Sequence, residues 1–283
     1  PFRRSCRSRA GQPGGTVSLS RHDTGRPVLE VRDLSVDLGG ITALEGVSFT
    51  LARGDSVAVV GPNGAGKSTL FRAVAGVLDR YHGRVTVYGS DPGGHICIAY
   101  VPQASHVDWA FPVTVFDAVM MGRTRRIGWV RRPRRSDRAL VYQCLEMVNL
   151  EDLAGRQIGE LSGGQKQRAF IARALAQEAE IILMDEPLTG LDVKSQQDIF
   201  AILASLAARG VTLMVSTHDL EAAAARFPLI MLLNRRLLAF GGREEVLTPN
   251  LLLATFGGRV RLGGGGEATV IDSCCDGSEE HVS

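Results

Sequence analysis

The chain has 283 residues, 45% of them hydrophobic and 22% charged, a composition that excludes a disordered chain and fits a large globular domain. A formal net charge of +2 gives no global electrostatic case for nucleic-acid binding. Five cysteines in no metal-ligand spacing, two of them adjacent, argue against a disulfide framework and for a reduced, cytosolic setting, and no apolar run approaches the ~18–20 residues that cross a bilayer.

In chain order, residues 1–26 carry Gly, Pro, Ser and several arginines with little apolar content and read as a disordered basic tail. Residues 28–36 alternate as a half-exposed strand. A turn at Gly39-Gly40 leads to a second strand, Ala43–Leu51, and Arg53-Gly54-Asp55 turns into the short β-branched run Ser56–Val60, a buried strand by its pattern. Further strands are expected at Arg84–Tyr88 and Ile98–Val101.

The texture changes over residues 104–160, where Val113–Met121 and Ala139–Val148 read as helices, the second with Ser136 or Asp137 as its N-cap. Between them lie Arg123, Arg125, Arg126, Arg131, Arg132, Arg134, Arg135 and Arg138. A solvated face is the favoured reading of this cluster; a surface facing anionic lipid headgroups is the alternative. An α/β pattern then resumes: a helix over Lys166–Gln177, a strand Ile181–Met184, a long helix Val193–Ala208 ended by Arg209-Gly210, a strand Val211–Ser216, a short helix, two strands at Leu229–Leu233 and Leu237–Phe240, and a last helix opened by Thr248-Pro249. Residues 27–262 thus form one α/β domain with an inserted helical lobe, and 263–283 read as a disordered C-terminal tail.

The chemistry is concentrated at strand ends. Gly61-Pro62-Asn63-Gly64-Ala65-Gly66-Lys67-Ser68-Thr69 joins the strand Ser56–Val60 to a helical run, the context in which a glycine-rich loop cradles a polyphosphate with its N–H groups. Lys67 can set its charge against β- and γ-phosphates, and the Ser68 hydroxyl can ligate Mg²⁺. Asp185 closes an apolar strand, where a carboxylate can approach the same cation, and Glu186 follows as a second carboxylate able to orient or deprotonate water. Gln103 and His218 also follow strands, the first an amide able to bind metal-bound and attacking water, the second able to hydrogen-bond a γ-phosphate oxygen. In an open α/β sheet, groups at strand ends gather into one site. Ser162-Gly163-Gly164-Gln165 opens a helix far away in sequence and forms a second anion-binding N-terminus.

Together these motifs resemble the nucleotide-binding subunit of an ABC transporter. Leu161-Ser162-Gly163-Gly164-Gln165 matches that family's signature and Thr189-Gly190-Leu191-Asp192 its D-loop, within a resemblance spanning about residues 28–260. The resemblance implies a P-loop NTPase fold of ABC type, with a mostly parallel core sheet, an antiparallel β subdomain and the helical lobe. It implies an ATPase whose two subunits dimerise head to tail, each ATP lying between one phosphate loop and the other subunit's signature helix. By position, Lys67 and the loop amides bind phosphates; Ser68, Gln103 and Asp185 serve Mg²⁺; Glu186 is the general base; His218 senses the γ-phosphate; Ser162, Gly163, Gly164 and Gln165 complete the partner's site; and Asp192 couples the two sites.

A narrower resemblance, to the manganese, zinc and iron importer ATPases, rests on residues 107–115, Met121-Gly122-Arg123, Gly128-Trp129, Arg131-Arg132-Pro133, residues 156–160 and Leu233-Asn234. It implies import of a divalent metal through a separate integral-membrane permease, at the cytoplasmic face of the membrane, with a metal-binding extracytoplasmic protein as an indirect partner. An ATPase for another solute, such as an iron chelate, is the alternative, followed by a soluble non-transport ABC ATPase. The chain departs from the family at Leu38, where an aromatic residue usually stacks on adenine.

Overall fold

The computed structural model describes residues 27–92, 97–103, 109, 111–128, 131–257, 260–262 and 268–270. The segment 1–26 and most of 263–283, read above as tails, lie outside the described residues, as do Val107, Asp108, Ala110 and Trp129 of the lobe.

The two larger sheets contribute to one shared core. Strands β1 (Leu29–Leu38) and β2 (Ile41–Leu51) form an antiparallel hairpin, and β4 (His82–Val87) pairs with the other edge of β1. Strand β3 (Ser56–Val60) instead enters a six-stranded sheet of order β5-β6-β7-β3-β8-β9, with β5 at Ile98–Val101, β6 at Ile181–Met184, β7 at Thr212–Thr217, β8 at Leu229–Asn234 and β9 at Arg236–Gly242. All neighbours in it are parallel except β8 and β9. Parallel strands covered on both faces should be apolar throughout rather than alternating, and β3 and β6 are buried at every position.

The period-2 alternation of side chains divides that sheet between two cores. Val57, Val59, Ile181 and Leu183 face α1 (Lys67–Val74) and the antiparallel sheet, packing with Leu70, Phe71, Leu29 and Leu44. Ala58, Val60, Ile182 and Met184 face the other way, toward α5 (Gly163–Ala176), α6 (Val193–Ala208) and the helical lobe.

The lobe comprises α2 (Val115–Met120), a 3-10 turn at Met121–Arg123, α3 (Thr124–Ile127) and α4 (Arg135–Met147). Val115, Val119, Val141, Cys144 and Leu145 bury an apolar stripe with Ala169, Ile171 and Ala172 of α5. Gly122 lets α2 approach that helix closely, since a Cβ there would lie 2.3 Å from the Arg173 carbonyl oxygen. Helix α4 starts four residues before the expected Ala139, and its N-cap is Arg134 rather than Ser136 or Asp137. Asp137 sits one turn in and accepts the Arg134 N–H at 2.9 Å, so a carboxylate reaching back does the capping.

The solvated reading of the arginine cluster fails for Arg123. Its side chain is only 11% exposed and bridges Asp137 at 3.0 Å and Glu178 at 2.6 Å. It also donates to the Ala176 carbonyl at 3.1 Å, which fastens the lobe to the last turn of α5.

Helices α7 (Leu220–Arg226), α8 (Arg243–Val246) and α9 (Pro249–Phe256) complete the body. Beyond them β10 (Val260–Leu262) pairs antiparallel with β11 (Ala268–Val270), so three residues of the span expected to be a tail are in a strand. Among the described residues no helix is long and apolar enough to cross a membrane.

Candidate functional site

The strand order decides where the strand-end residues meet. Reading across the parallel part of the sheet, β5 leads to Gln103, β6 to Asp185 and Glu186, β7 to His218 and β3 to the glycine loop. All leave at the carboxyl edge of neighbouring strands, where open α/β sheets bind their ligands.

The loop's glycines have separate reasons. Gly64 and Gly66 take φ of +80° and +93°, a backbone region that costs a side chain strain. Gly61 is needed for space, because a Cβ there would lie 2.0 Å from the Leu233 carbonyl oxygen. At Gly66 it would lie 2.5 Å from the Ala43 carbonyl oxygen, so the antiparallel sheet presses directly on the loop. Helix α1 then starts at Lys67 with no acidic residue in its first turn, which keeps its N-terminal field available to an anion.

Lys67 is buried, and its ammonium donates to the carbonyls of Gly61 at 2.7 Å and Pro62 at 3.1 Å. Glu186 lies 3.7 Å away. Burial lowers the ammonium's pKa from its ordinary value, and the carboxylates of Glu186 and Asp185 oppose that shift. Glu186 has left its strand, at φ +45°, so strand alternation no longer sets its direction. It accepts from the Gln103 amide at 3.3 Å and from the Thr189 hydroxyl at 3.4 Å, while its own N–H donates to Ser216 Oγ at 2.8 Å. Asp185 is buried and accepts from Ser216 Oγ at 2.7 Å and from the Tyr100 hydroxyl at 3.4 Å. Lys67, Gln103, Asp185 and Glu186 therefore form one connected polar group. His218 lies at the next strand end, exposed and without a bond to the others.

The donor set fits a magnesium nucleotide. A loop hydroxyl (Ser68), an amide oxygen (Gln103) and a buried carboxylate (Asp185) are the hard oxygen ligands that Mg²⁺ takes alongside phosphate oxygens. Ser216 and Tyr100 were not singled out in the sequence. Ser216 is the fifth residue of an apolar strand, and the only local cue was a hydroxyl in a run that is otherwise mostly aliphatic.

The second N-terminus stands apart. Ser162 caps α5 reciprocally: its hydroxyl accepts the Gln165 N–H at 3.3 Å, and its N–H donates to Gln165 Oε1 at 2.9 Å. Asp192 caps α6, accepting from the Ser195 N–H at 2.9 Å and hydroxyl at 2.6 Å, and these bonds hold its carboxyl below the usual carboxylate range. The two caps touch through Gly164, where a Cβ would fall 2.7 Å from Ser195 Cβ. Among the described residues no hydrogen bond or ion pair joins 162–165 to the glycine loop or to Asp185 and Glu186.

The family model described as ABC transporter matches residues 44–189. The chain belongs to that family. It is 47% identical over 235 residues to the manganese transport system ATP-binding protein MntA of Synechocystis sp. (strain ATCC 27184 / PCC 6803 / Kazusa), covering 80% of this chain and 90% of that one. It is 45% identical over 241 residues to the chelated iron transport system membrane protein YfeB of Yersinia pestis, covering 83% of this chain and 81% of the other. Among solved structures it superposes on a nucleotide-free ATP-binding cassette from an ABC transporter with a TM-score of 0.71 at 26% identity, covering 80% and 98% of the two chains. As an ABC ATPase the chain binds and hydrolyses ATP.

Proposed function

We propose that this cassette powers import of a divalent metal ion, manganese, zinc or iron, through a separate membrane permease. Its place is the cytoplasmic face of the membrane, held there peripherally, with a metal-binding extracytoplasmic protein delivering the ion. The manganese and chelated-iron transport relatives support the substrate class. The chelated-iron relative also favours the second reading, an iron chelate as the transported solute.

The observation that carries the reading is the connected group of Lys67, Gln103 and Glu186 beside the loop, with the Ser162 cap bonded to none of them. One chain then holds two half-sites, and a second copy facing it head to tail supplies the missing halves. In this reading Lys67 leaves the Gly61 and Pro62 carbonyls to bind phosphate oxygens, joined by the N–H groups of residues 61–69. Ser68, Gln103 and Asp185 would hold Mg²⁺, whose charge would supply neutralisation of the negative charge on the phosphate oxygens. Asp185 is held for that duty by Ser216.

Glu186 accepts the proton of the attacking water. Gln103 and Thr189, which already bond to its carboxylate, orient it. His218 hydrogen-bonds the γ-phosphate. The partner's signature residues 162–165 close over that phosphate, with Asp192 steering the signature helix across the interface. Glu186→Gln is expected to retain ATP binding, accumulate closed dimer and lower turnover by about 10²–10⁴; wild-type turnover in that variant removes Glu186 from the mechanism. Metal uptake measured ion by ion in a strain lacking the gene tests the substrate, and no deficit for manganese, zinc or iron overturns it.

A further inference from the structure

Outside the glycine loop and its neighbours, a strongly charged concavity lies in the helical lobe. A cavity of about 270 Å³ is lined by Arg123, Arg126, Arg131, Arg132 and Arg134, with Ser136 and Asp137 on its wall. Its charges are unevenly balanced. Asp137 is already bound by Arg123, and Glu178 by Arg123 and by Arg126 at 2.9 Å. Arg131, Arg132 and Arg134 have no acidic partner among the described residues and are exposed to solvent.

Three free guanidinium groups turned on one cavity repel each other unless an anion joins them. Each presents a planar fork of N–H donors. A carboxylate has only two oxygens and is filled by one fork, whereas a tetrahedral phosphate offers oxygens in several directions and can satisfy more than one. The Ser136 hydroxyl adds a neutral donor on the same wall.

We propose that this cavity is a binding site for a phosphate-bearing group, gripped by Arg131, Arg132 and Arg134. Arg123 and Arg126 form its inner wall and stay committed to Asp137 and Glu178. The group is either the headgroup of an anionic phospholipid or a soluble phosphate ester, and both present the same oxygens to the same forks. Arg123, on the wall of this cavity, also holds the Ala176 carbonyl and so ties the site to the helix whose opposite end carries Ser162.

The test uses the full chain with its nucleotide site saturated by a non-hydrolysable ATP analogue, so that the glycine loop cannot take the probe. Glycerol 3-phosphate is titrated calorimetrically, and sedimentation is followed with phosphatidylcholine vesicles with and without phosphatidylglycerol. Three proteins are compared: wild type, the triple variant Arg131→Lys/Arg132→Lys/Arg134→Lys, and a control, Arg32→Lys/Arg84→Lys, at exposed arginines on the antiparallel sheet. All five positions are exposed, and analogue binding reports that each protein is folded.

The wild type and the control should bind. The triple variant keeps every charge yet should bind roughly tenfold more weakly, because lysine lacks the planar fork. Binding of glycerol 3-phosphate alone assigns a soluble ester, binding of anionic vesicles alone assigns the lipid surface, and binding of both assigns the shared group; each upholds the site if the triple variant loses it. Equal binding by the triple variant and the wild type would reduce the cavity to a diffuse positive surface and overturn the proposal. Failure of the wild type to bind either probe overturns it as well.

Discussion

Gly164 is where the signature helix and the cap of α6 meet, and replacing it with alanine tests that contact directly. The added Cβ would lie 2.7 Å from Ser195 Cβ and 2.5 Å from its Oγ. Rotating the hydroxyl away relieves only the second contact, so one of the two helix starts has to shift. Overpacking of this kind costs about 1–3 kcal/mol. The reduced freedom of the unfolded chain returns about 0.4–1 kcal/mol of that, leaving a net destabilisation of about 1–2 kcal/mol. Ser195→Gly removes the obstructing atoms at the cost of the hydroxyl's 2.6 Å bond to Asp192, itself worth ~1 kcal/mol. In the double variant the obstruction is gone while the unfolded-chain gain remains, so urea denaturation of the four proteins should give an interaction energy equal to the whole overpacking term, about 1–3 kcal/mol favouring the pair. Additivity within ~0.5 kcal/mol would show that the two caps are not in steric contact. The ATPase rate supplies a second readout: it should fall in Gly164→Ala and recover in the double variant if the contact sets the position of Ser162.

Other residues give sharper single-site expectations. Arg123→Met leaves the buried Asp137 carboxylate without its counter-charge and with only the Arg134 N–H, whereas Glu178 keeps Arg126; the loss should sit near the low end of the range for breaking a buried pair, about 3 kcal/mol. Arg32→Met, which removes a largely exposed partner of Glu30, should change denaturation by less than ~0.5 kcal/mol. Leu38→Tyr places an aromatic face on the tip of the β1–β2 hairpin, beside the exposed Ile41. If adenine rests there, ATP affinity rises about tenfold, from a stacking gain of ~1–3 kcal/mol at 1.4 kcal/mol per decade, and unchanged affinity removes Leu38 from the base's surroundings. Burial pushes the Cys144 thiol up to about 12 and, with Asp185 nearby, the Tyr100 hydroxyl up to about 12 as well. The unfolded chain gives up these protons at their ordinary values of 9.0 and 10.0. The folded chain therefore holds more protons through that window, and stability falls as pH rises from about 9 toward 12. Cys144→Ala should flatten that fall by at most one proton's worth, ~1.4 kcal/mol per pH unit, as read by urea denaturation across the window; an unaltered slope refutes the assignment.

The parts of the fold that could be read from the residues are those whose cause is local. The runs Ser56–Val60 and Ile181–Met184 carry their burial in their own composition, and both strands have those bounds in the structure. The helix read over Val193–Ala208, with Arg209-Gly210 as its stop, likewise has those bounds in the structure. The glycine loop was readable because each of its odd residues answers to a backbone need within a few positions. What escaped depends on partners far along the chain. Asp137 looked like an N-cap from its immediate neighbours, but it sits inside the first turn of α4, where it accepts both the Arg134 N–H and the Arg123 guanidinium from the preceding 3-10 turn. Arg123 looked like one of many solvated arginines until Glu178, 55 residues away, was brought beside it.

The same distinction bears on the strand-end group. Each strand-end residue was legible singly, but their bonding was not, because it follows from the strand order. Gln103 reaches Glu186 only because β5 lies beside β6, and Ser216 reaches both Asp185 and the Glu186 N–H only because β7 lies on the other side. Ser216 is thus the residue whose removal separates the two views. A strand-core serine with no further duty tolerates alanine, whereas the bridge seen here leaves the Glu186 N–H and one Asp185 oxygen without a partner. Such loss of a buried partner costs about 1–3 kcal/mol. Ser216→Ala should therefore destabilise the fold and also weaken the magnesium dependence of ATP hydrolysis, since Asp185 loses the bond that fixes it; Ser216→Thr, which restores a hydroxyl, should recover the magnesium response. If Ser216→Ala lowers stability while the magnesium titration is unmoved, the serine acts in packing alone and Asp185 is held by other means.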